Sequence, residues 1–351
     1  MLLRPAVSSL PEYVPGKAAP GAIKLSSNEN PFGPSPKALK AIAAEAKRLQ
    51  AYPDQKSVKL RAALAKKLKL SPDNIVCGNG LDDILQIIAA TYINPGDEVV
   101  LAKNSFSVYE LVCRIADAKL VWVDLQDFGL DLPAMRRAIT DKTKMVFLNN
   151  PHNPTGSAFD SIAFAAFMRD LPAHVVVIVD EAYVEFSSMK DCPDVIKYVK
   201  EGKNLLLLRT FSKYFGLAGL RLGYAVGEKE LIAPLLKVKM PFNVNRLAQA
   251  GGLAALEDKV FLKKTYKNNL EQKKYLYAEL KKLNLGFNET EANFIYVEIE
   301  QPAKEFCQKL IALGVSVRPL TSFGFPEAIR ISIGTPAQNK KLIAALKKAL
   351  A

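Results

Sequence analysis

The sequence predicts an α/β fold, in which a mostly parallel central sheet is covered by helices, followed by a smaller α+β domain. From about residue 97, short apolar runs alternate with helical patterns: "EVVLA", "KLVWVDL", "KMVFLNN", "VVVIVDEAY", "NLLLLRT" and "LGYAVG". Strands that are apolar without alternation are typical of a parallel sheet that is buried on both faces. In such sheets the ligand site lies at the carboxyl ends of the strands.

Helix-start signals and a later change of pattern suggest the domain organisation. Helices are predicted to begin at Ser35-Pro36, at Ser57 and with "LDDILQIIAATYI". A long amphipathic helical region begins near residue 246, and "NFIYVEI", "VSVRPL", "AIRISIG" and a helix opened by Thr335-Pro336 follow it. We therefore expect a proline-rich N-terminal arm of residues 1–30, a large domain of residues 31–245 and a small domain of residues 246–351.

Composition excludes several classes of protein. The 351 residues are 49% hydrophobic and 24% charged, which is typical of a globular protein and not of a disordered or fibrous one. The longest apolar runs are far shorter than the roughly 20 residues of a membrane span. The first residues lack the pattern of a secretory signal, so we expect a cytoplasmic protein.

Few residues are available for metal chemistry. The four cysteines are scattered without a CxxC pair, and the only histidines are His152 and His174. We interpret them as a loop and a surface histidine without a catalytic role. The chemistry is therefore expected to come from lysine, carboxylates, tyrosine or a bound organic cofactor.

The chain is strongly basic, with a formal net charge of +13. Much of the excess stands on the outer faces of patterned helices, as in "NNLEQKKYLYAELKKL", so it is interpreted as a solvated surface. A basic field favours anionic small molecules as ligands. A nucleic-acid-binding protein without catalysis remains the alternative from another class, and it predicts salt-sensitive binding to DNA or RNA.

Two residues near predicted strand ends are unusual for such positions. Lys213 follows "LLLLRTFS", and a lysine in a partly desolvated place has a lowered pKa and is a candidate Schiff-base nucleophile. Asp180 ends "VVVIVD", where an isolated buried carboxylate is costly and needs a cationic partner. A protonated pyridine nitrogen is such a partner.

The neighbouring segments carry hydrogen-bonding groups. Thr210, Ser212 and Arg221 suit a phosphate dianion, and Asn153 and Tyr183 are able to hydrogen-bond a phenolate oxygen. If the strands are parallel neighbours, these groups converge on one crevice. Pyridine nitrogen, phenolate, aldehyde and phosphate together describe pyridoxal 5'-phosphate (PLP).

The motifs "NPHNPTG", "DEAYVEF" and "SK" followed by "GLRLGY" resemble those of fold-type-I PLP-dependent aminotransferases. The resemblance is strongest to the histidinol-phosphate aminotransferase family. It covers nearly the whole chain, since "SSNENPFGPSP", "AYPD", "GNGLDD" and "IRISIGT" also stand in the expected order.

The resemblance implies a role for each matching residue. Lys213 would bond covalently to the cofactor and move the proton of the substrate, and Asp180 would keep the pyridine nitrogen protonated. The 3'-oxygen would be held by Asn153 and Tyr183. The phosphate would be held by Thr210, Ser212, Arg221 and the backbone N–H groups of Leu81 and Asp82.

Two aromatic residues complete the implied cofactor site. Phe106 falls where the family stacks an aromatic ring on the cofactor. Tyr52 matches a tyrosine that reaches the cofactor phosphate of the neighbouring subunit, which implies a homodimer with shared active sites. The N-terminal arm would then pack with the small domain or with the partner subunit.

The resemblance also implies substrate contacts. Arg330 matches the arginine that binds the substrate carboxylate or phosphate, since a guanidinium suits either anion. Arg318 and Tyr13 correspond to further phosphate contacts, Tyr13 from the same or the partner subunit, and Asn293 lines the pocket.

The sequence departs from the family pattern at three positions. His152 replaces the first of two paired asparagines, Phe106 replaces a frequent tyrosine, and Leu81 is bulkier than the usual residue there. "GNG" at residues 78–80 does not indicate a dinucleotide site, because Asp83 stands where a third glycine belongs.

The implied activity is PLP-dependent transamination between histidinol phosphate and 2-oxoglutarate in histidine biosynthesis. An aromatic amino-acid aminotransferase, or a decarboxylase of a phosphorylated amino acid such as threonine phosphate, remains open as an alternative. The motifs do not separate these activities, since only the side chains of the substrate pocket differ.

Overall fold

The computed structural model describes residues 4–8, 10, 12 and 20–351. The α-helices are α1 Pro5–Ser8, α2 Pro36–Glu45, α3 Val58–Leu68, α4 Leu81–Tyr92, α5 Ser107–Ile115, α6 Leu132–Arg137, α7 Ser161–Met168, α8 Val195–Lys200, α9 Lys229–Val238, α10 Arg246–Leu256, α11 Lys259–Lys282, α12 Ala303–Ala312 and α13 Pro336–Leu350. Among these described residues, we find no helix with the length and apolarity needed to cross a membrane.

The strands form one large sheet and several small ones. They are β1 Ile23–Lys24, β2 Ile75–Gly78, β3 Glu98–Ala102, β4 Lys119–Val123, β5 Leu125–Gln126, β6 Gly129–Leu130, β7 Thr143–Asn149, β8 Val176–Asp180, β9 Leu205–Thr210, β10 Gly223–Val226, β11 Phe294–Glu298, β12 Val315–Ser316, β13 Arg318–Pro319 and β14 Ala328–Ser332.

The central sheet has seven strands in the order β2-β10-β9-β8-β7-β3-β4. Strand β10 runs antiparallel to both of its neighbours, and all other neighbours are parallel. The predicted α/β fold with a mostly parallel sheet is thus confirmed. "LGYAVG" is the exception to the parallel arrangement, so the start of this strand lies beside the carboxyl end of β9.

Both faces of the sheet are buried, which explains why its strands are apolar without alternation. In β8, Val177 and Val179 join the core on one face, whereas Val176 and Ile178 join the core on the other. Strand β9 divides its leucines in the same way. Successive side chains of a strand point to opposite faces, so a sheet covered on both sides needs apolar residues at every position.

Two helix starts show how local capping sets the element boundaries. The hydroxyl of Ser35 accepts a hydrogen bond from the backbone N–H of Ala38 in α2, at 3.2 Å. Helix α3 starts at Val58 as expected, but the side chain of Ser57 does not cap it. The carboxylate of Asp54 accepts from the backbone N–H of Val58 instead, at 2.7 Å.

The C-terminal part has its own sheet and core. Strands β11, β14 and β13 form an antiparallel sheet that packs with α12 and α13, and β1 pairs in parallel with β12. Helix α10 instead contributes Ala248 and Ala255 to the core of the central sheet. The division of the chain at residues 30 and 245 stays a prediction.

Candidate active site

Three parallel strand ends and the start of β10 meet at one edge of the central sheet. Asn149 lies opposite Asp180 in the register of β7 and β8, and Thr210 lies opposite Gly223 in that of β9 and β10. A cleft of about 230 Å³ opens at this edge. Its lining includes Leu81, Asp82, Phe106, Asn153, Asp180, Tyr183, Thr210, Ser212, Lys213 and Arg221.

Lys213 lies in this cleft, three residues after the end of β9. Its Nζ donates a hydrogen bond to the backbone carbonyl of Ser27 at 2.9 Å. Burial lowers the pKa of the amine to about 8, and the positive charge of Arg330 acts in the same direction, while Glu29 opposes the shift. A much larger fraction of this amine is therefore neutral near pH 7 than of an ordinary exposed lysine, and the neutral form is the nucleophile.

Asp180 ends β8 as a buried carboxylate with two hydrogen bonds. Its Oδ2 accepts from the hydroxyl of Tyr109 at 2.7 Å, and its Oδ1 accepts from the backbone N–H of Ala182 at 2.9 Å. Burial raises its pKa to about 6, although both hydrogen bonds act in the opposite direction. A cationic group beside Asp180 would favour its ionised form.

A set of donors that suits an anion occupies the other end of the cleft. The hydroxyl of Thr210 donates to Oγ of Ser212 at 3.0 Å, and NH1 of Arg221 donates to the same oxygen at 3.4 Å. The second nitrogen, NH2, forms an ion pair with the partly exposed Asp82 at 3.2 Å. Helix α4 begins beside them at Leu81, so its unpaired backbone N–H groups add positive potential.

Tyr183 and Asn153 are held by residues from other parts of the chain. The Tyr183 hydroxyl accepts a hydrogen bond from Nδ2 of Asn28 at 3.1 Å. The Asn153 carboxamide oxygen accepts a hydrogen bond from NH1 of Arg330, whose NH2 donates to the backbone carbonyl of Ser26 at 3.2 Å. These contacts leave the O–H of Tyr183 and the NH2 group of Asn153 as potential donors to a ligand.

Of the remaining predicted residues, those that the structure describes do not line the cleft. Tyr52 is 78% exposed and stacks on Phe242, with ring centroids 4.6 Å apart. Arg318 lies opposite Arg330 in the register of β13 and β14. Buried Asn293 donates to the backbone carbonyl of Asn28 at 3.0 Å. Tyr13 lies outside the described residues.

His152 is a buried loop residue. Its Nδ1 lies 2.8 Å from Oγ1 of Thr155, and burial lowers its pKa to about 3. The imidazole is therefore neutral at physiological pH. His174 is exposed, with Nε2 3.3 Å from the backbone carbonyl of Thr140.

Sequence reasoning missed several groups at the cleft. Tyr109 contacts Asp180, Asn28 contacts Tyr183, and Ser27 and Glu29 line the cleft beside Lys213. They stand in "KNSFSVYE" and "SSNENPFGPSP", two segments that carry the family resemblance. Neither segment has a periodicity that indicates which of its side chains reaches the site.

The residues of the cleft fit PLP. A buried carboxylate for the ring nitrogen, donors for the 3'-oxygen, an amine for the aldehyde and an anion site for the phosphate all border one cavity. Within the described part of the chain, the buried amide nitrogen of Asn149 has no hydrogen-bond partner, as expected for a donor beside a ligand.

Comparisons with known proteins agree with this geometry. The family model described as aminotransferase class I and II matches residues 20–346. The histidinol-phosphate aminotransferase of Moorella thermoacetica is 43% identical over 99% of this chain and 93% of its own length. Histidinol-phosphate aminotransferase 2 of Pseudomonas fluorescens is 41% identical over 100% and 98%.

A solved structure from the same family has the same fold. The crystal structure of histidinol-phosphate aminotransferase from Sinorhizobium meliloti, in complex with pyridoxal-5'-phosphate, superposes with a TM-score of 0.91. The two chains are 27% identical, and the match covers 99% of this chain and 97% of the other.

Proposed function

Because the chain belongs to the histidinol-phosphate aminotransferase family, within the class I and II aminotransferases, we propose that it transfers an amino group between histidinol phosphate and 2-oxoglutarate. The products are imidazole-acetol phosphate and glutamate, in the biosynthesis of histidine. The chain is an aminotransferase, and its cofactor is PLP. The observation that carries the proposal is the cleft in which the Lys213 amine, the Asp180 carboxylate and the Arg221 guanidinium meet.

Lys213 and Asp180 carry the chemistry in this proposal. PLP, when bound, supplies an electron sink for the substrate carbon that loses its proton. The Lys213 amine would hold the cofactor and would then take up and return this proton, for which its lowered pKa is suited. The Asp180 carboxylate would keep the proton on the pyridine nitrogen.

The other cofactor contacts fix position and orientation. Tyr183 and Asn153 would donate to the 3'-oxygen, and Phe106 would pack on the ring. The phosphate would be bound by Thr210, Ser212, Arg221 and the backbone N–H groups of Leu81 and Asp82. Support for the phosphate site comes from the two hydroxyls, the guanidinium and the helix N-terminus around one space.

Arg330 is our candidate for recognition of the substrate anion. It is buried beside Asn153, and a guanidinium suits both the carboxylate of glutamate and a phosphate ester. Arg318, on the neighbouring strand, and Tyr13 are proposed as further phosphate contacts. Asn293 is proposed to shape the pocket through its contact with Asn28.

We further propose a cytoplasmic homodimer in which each subunit completes the active site of the other. Tyr52 is exposed and stacked on Phe242, and the nearby Met240 is 69% exposed. Exposed apolar side chains that lie close together are typical of a surface that pairs with a partner. In the dimer, Tyr52 would reach the cofactor phosphate of the partner subunit.

The substrate assignment is tested by steady-state kinetics of the PLP-loaded enzyme. We expect kcat/KM for histidinol phosphate to exceed that for phenylalanine and tyrosine, with 2-oxoglutarate as the amino acceptor. Arg330→Lys keeps the positive charge but loses the planar guanidinium, which is able to donate two parallel hydrogen bonds to one anion. The kcat/KM for histidinol phosphate should therefore fall by about 10-fold to 100-fold. A higher kcat/KM for an aromatic amino acid, or release of CO2 from threonine phosphate, would contradict the assignment.

A further inference from the structure

The hydroxyl of Tyr109 is a buried polar group that the proposed reaction leaves without a role. Tyr109 is 3% exposed, and its O–H donates to Oδ2 of Asp180 at 2.7 Å. Burial and the negative charge of Asp180 raise its pKa well above the ordinary value. The hydroxyl therefore stays protonated and remains a hydrogen-bond donor throughout the working pH range.

The aromatic ring of Tyr109 is fixed by its neighbours. It stacks on Phe147 of β7, with centroids 4.9 Å apart, and meets the ring of Phe106 edge-on at 5.5 Å. Phe106 immediately precedes α5 and lines the cleft, and Tyr109 lies in the first turn of that helix. The start of α5 thus presents a ring to the cleft and a hydroxyl to Asp180.

We propose that Tyr109 is a positioning residue for this aminotransferase, whose hydroxyl orients the Asp180 carboxylate and keeps it ionised opposite the pyridine nitrogen of PLP. This inference rests on the proposed contact between Asp180 and the cofactor. It concerns a residue to which the family resemblance assigned no role.

The physical reason is the proton affinity of the carboxylate. Burial, Asp82 on α4 and the adjacent Glu181 all raise the pKa of Asp180, whereas the Tyr109 hydroxyl and the Ala182 N–H lower it. Tyr183, another titratable residue of the cleft, is itself buried and has a raised pKa, so it stays neutral. Lys213 lines the same cleft, but its titration is common to the wild type and to a Tyr109 variant. Without the Tyr109 hydroxyl, the pKa of Asp180 would rise, and the proton between Asp180 and the ring nitrogen would lie on the carboxylate more often.

The test measures binding of PLP to the apoenzyme, independently of turnover. The chain has one tryptophan, Trp122, which lies with Phe106 and Tyr109 around a depression beside the cleft, so we expect its fluorescence to change when PLP binds. For Tyr109→Phe we expect PLP to bind about tenfold more weakly near pH 6.5. The difference should narrow toward pH 9, where Asp180 is ionised in both proteins.

Tyr92→Phe is the matched control. It removes a partly buried hydroxyl that donates to the backbone carbonyl of Leu231, outside the cleft. This variant should bind PLP as the wild type does. If Tyr109→Phe binds PLP like the wild type at every pH, or if its apoenzyme fails to fold, the inference is overturned, since the hydroxyl would then have no role or a purely structural one.

A double-mutant cycle with Asp180→Asn separates this inference from the proposed function. We expect Asp180→Asn to weaken PLP binding, and Tyr109→Phe to add no further loss in that background. Wild-type affinity of Asp180→Asn would refute the proposed role of Asp180 itself. Additive losses from the two substitutions would refute only the action of Tyr109 through Asp180.

Discussion

Gly80→Ala directly perturbs the proposed phosphate site. Gly80 precedes α4 with φ +87° and ψ 175°, a backbone conformation that is readily adopted only by glycine. A Cβ atom at this position would overlap with NH2 of Arg221 and lie 3.0 Å from its Cζ. Alanine therefore strains the backbone and also displaces the guanidinium from Ser212 and Asp82.

The two effects have separate magnitudes and separate readouts. The backbone strain should lower the free energy of unfolding by about 1–3 kcal/mol. Loss of one charge-assisted hydrogen bond to the phosphate amounts to about 1.5–3 kcal/mol, which raises the Kd for PLP by about 10-fold to 100-fold. Chemical denaturation of the apoenzyme measures the first effect, and a PLP titration measures the second.

Gly96→Ala is the control, because Gly96 has φ +86° but no heavy atom lies within 4 Å of the position that an alanine Cβ would take there. Both alanine variants should be less stable than the wild type, whereas only Gly80→Ala should bind PLP more weakly. Wild-type PLP affinity of Gly80→Ala, or an equal loss in Gly96→Ala, would refute the assignment of Arg221 to the phosphate.

Three further substitutions test the charges around the site. Lys213→Met should abolish transamination and raise the free energy of unfolding of the apoenzyme at pH 7 by about 1–3 kcal/mol. Because the pKa of Lys213 is about 8 in the folded protein and 10.5 in the unfolded chain, wild-type stability rises as the pH increases from about 8 to 10.5. Denaturation at several pH values should show that the variant lacks this rise. His152→Asn should leave the affinity for PLP unchanged. Burial lowers the pKa of His152 to about 3, so in the wild type the unfolded chain binds a proton more readily than the folded protein as the pH falls from 6.5 to 3. The variant should therefore lose less stability than the wild type over this range. Glu181→Gln removes the ion-pair partner of the buried Arg209 guanidinium, whose NH2 lies 2.7 Å from Oε2 of Glu181, while the weaker attraction of Glu185 remains. In chemical denaturation the free energy of unfolding should fall by about 3 kcal/mol, and a change below about 0.5 kcal/mol would contradict this.

The alternation of apolar strands and helices was sufficient to predict the central sheet, because burial on both faces leaves a pattern in consecutive residues. The direction of β10 leaves no such pattern. "LGYAVG" is as apolar as the parallel strands, and only its pairing with β2 and β9 shows that it is antiparallel. Similarly, Ser57 suits the start of α3, but backbone geometry gives the capping role to Asp54.

The types of functional group in the site could be predicted from the sequence, since a lysine, an aspartate, two hydroxyls and an arginine near strand ends suggest one type of ligand. The contacts that hold these groups in place could not be predicted. Asn28 lies 155 residues from Tyr183, and Arg330 lies 177 residues from Asn153. Spacing along a chain does not encode contacts between residues so far apart.

The sequence by itself determined the fold class, the cofactor chemistry and the family, because these depend on residue types and on their order. Only the tertiary structure decided the protonation of the reacting groups. Burial and Arg330 lower the pKa of Lys213, while Tyr109 and Ala182 counter the effect of burial on Asp180. A pKa depends on the solvation and charge within a few ångströms of a group, and folding brings that environment together from distant parts of the chain.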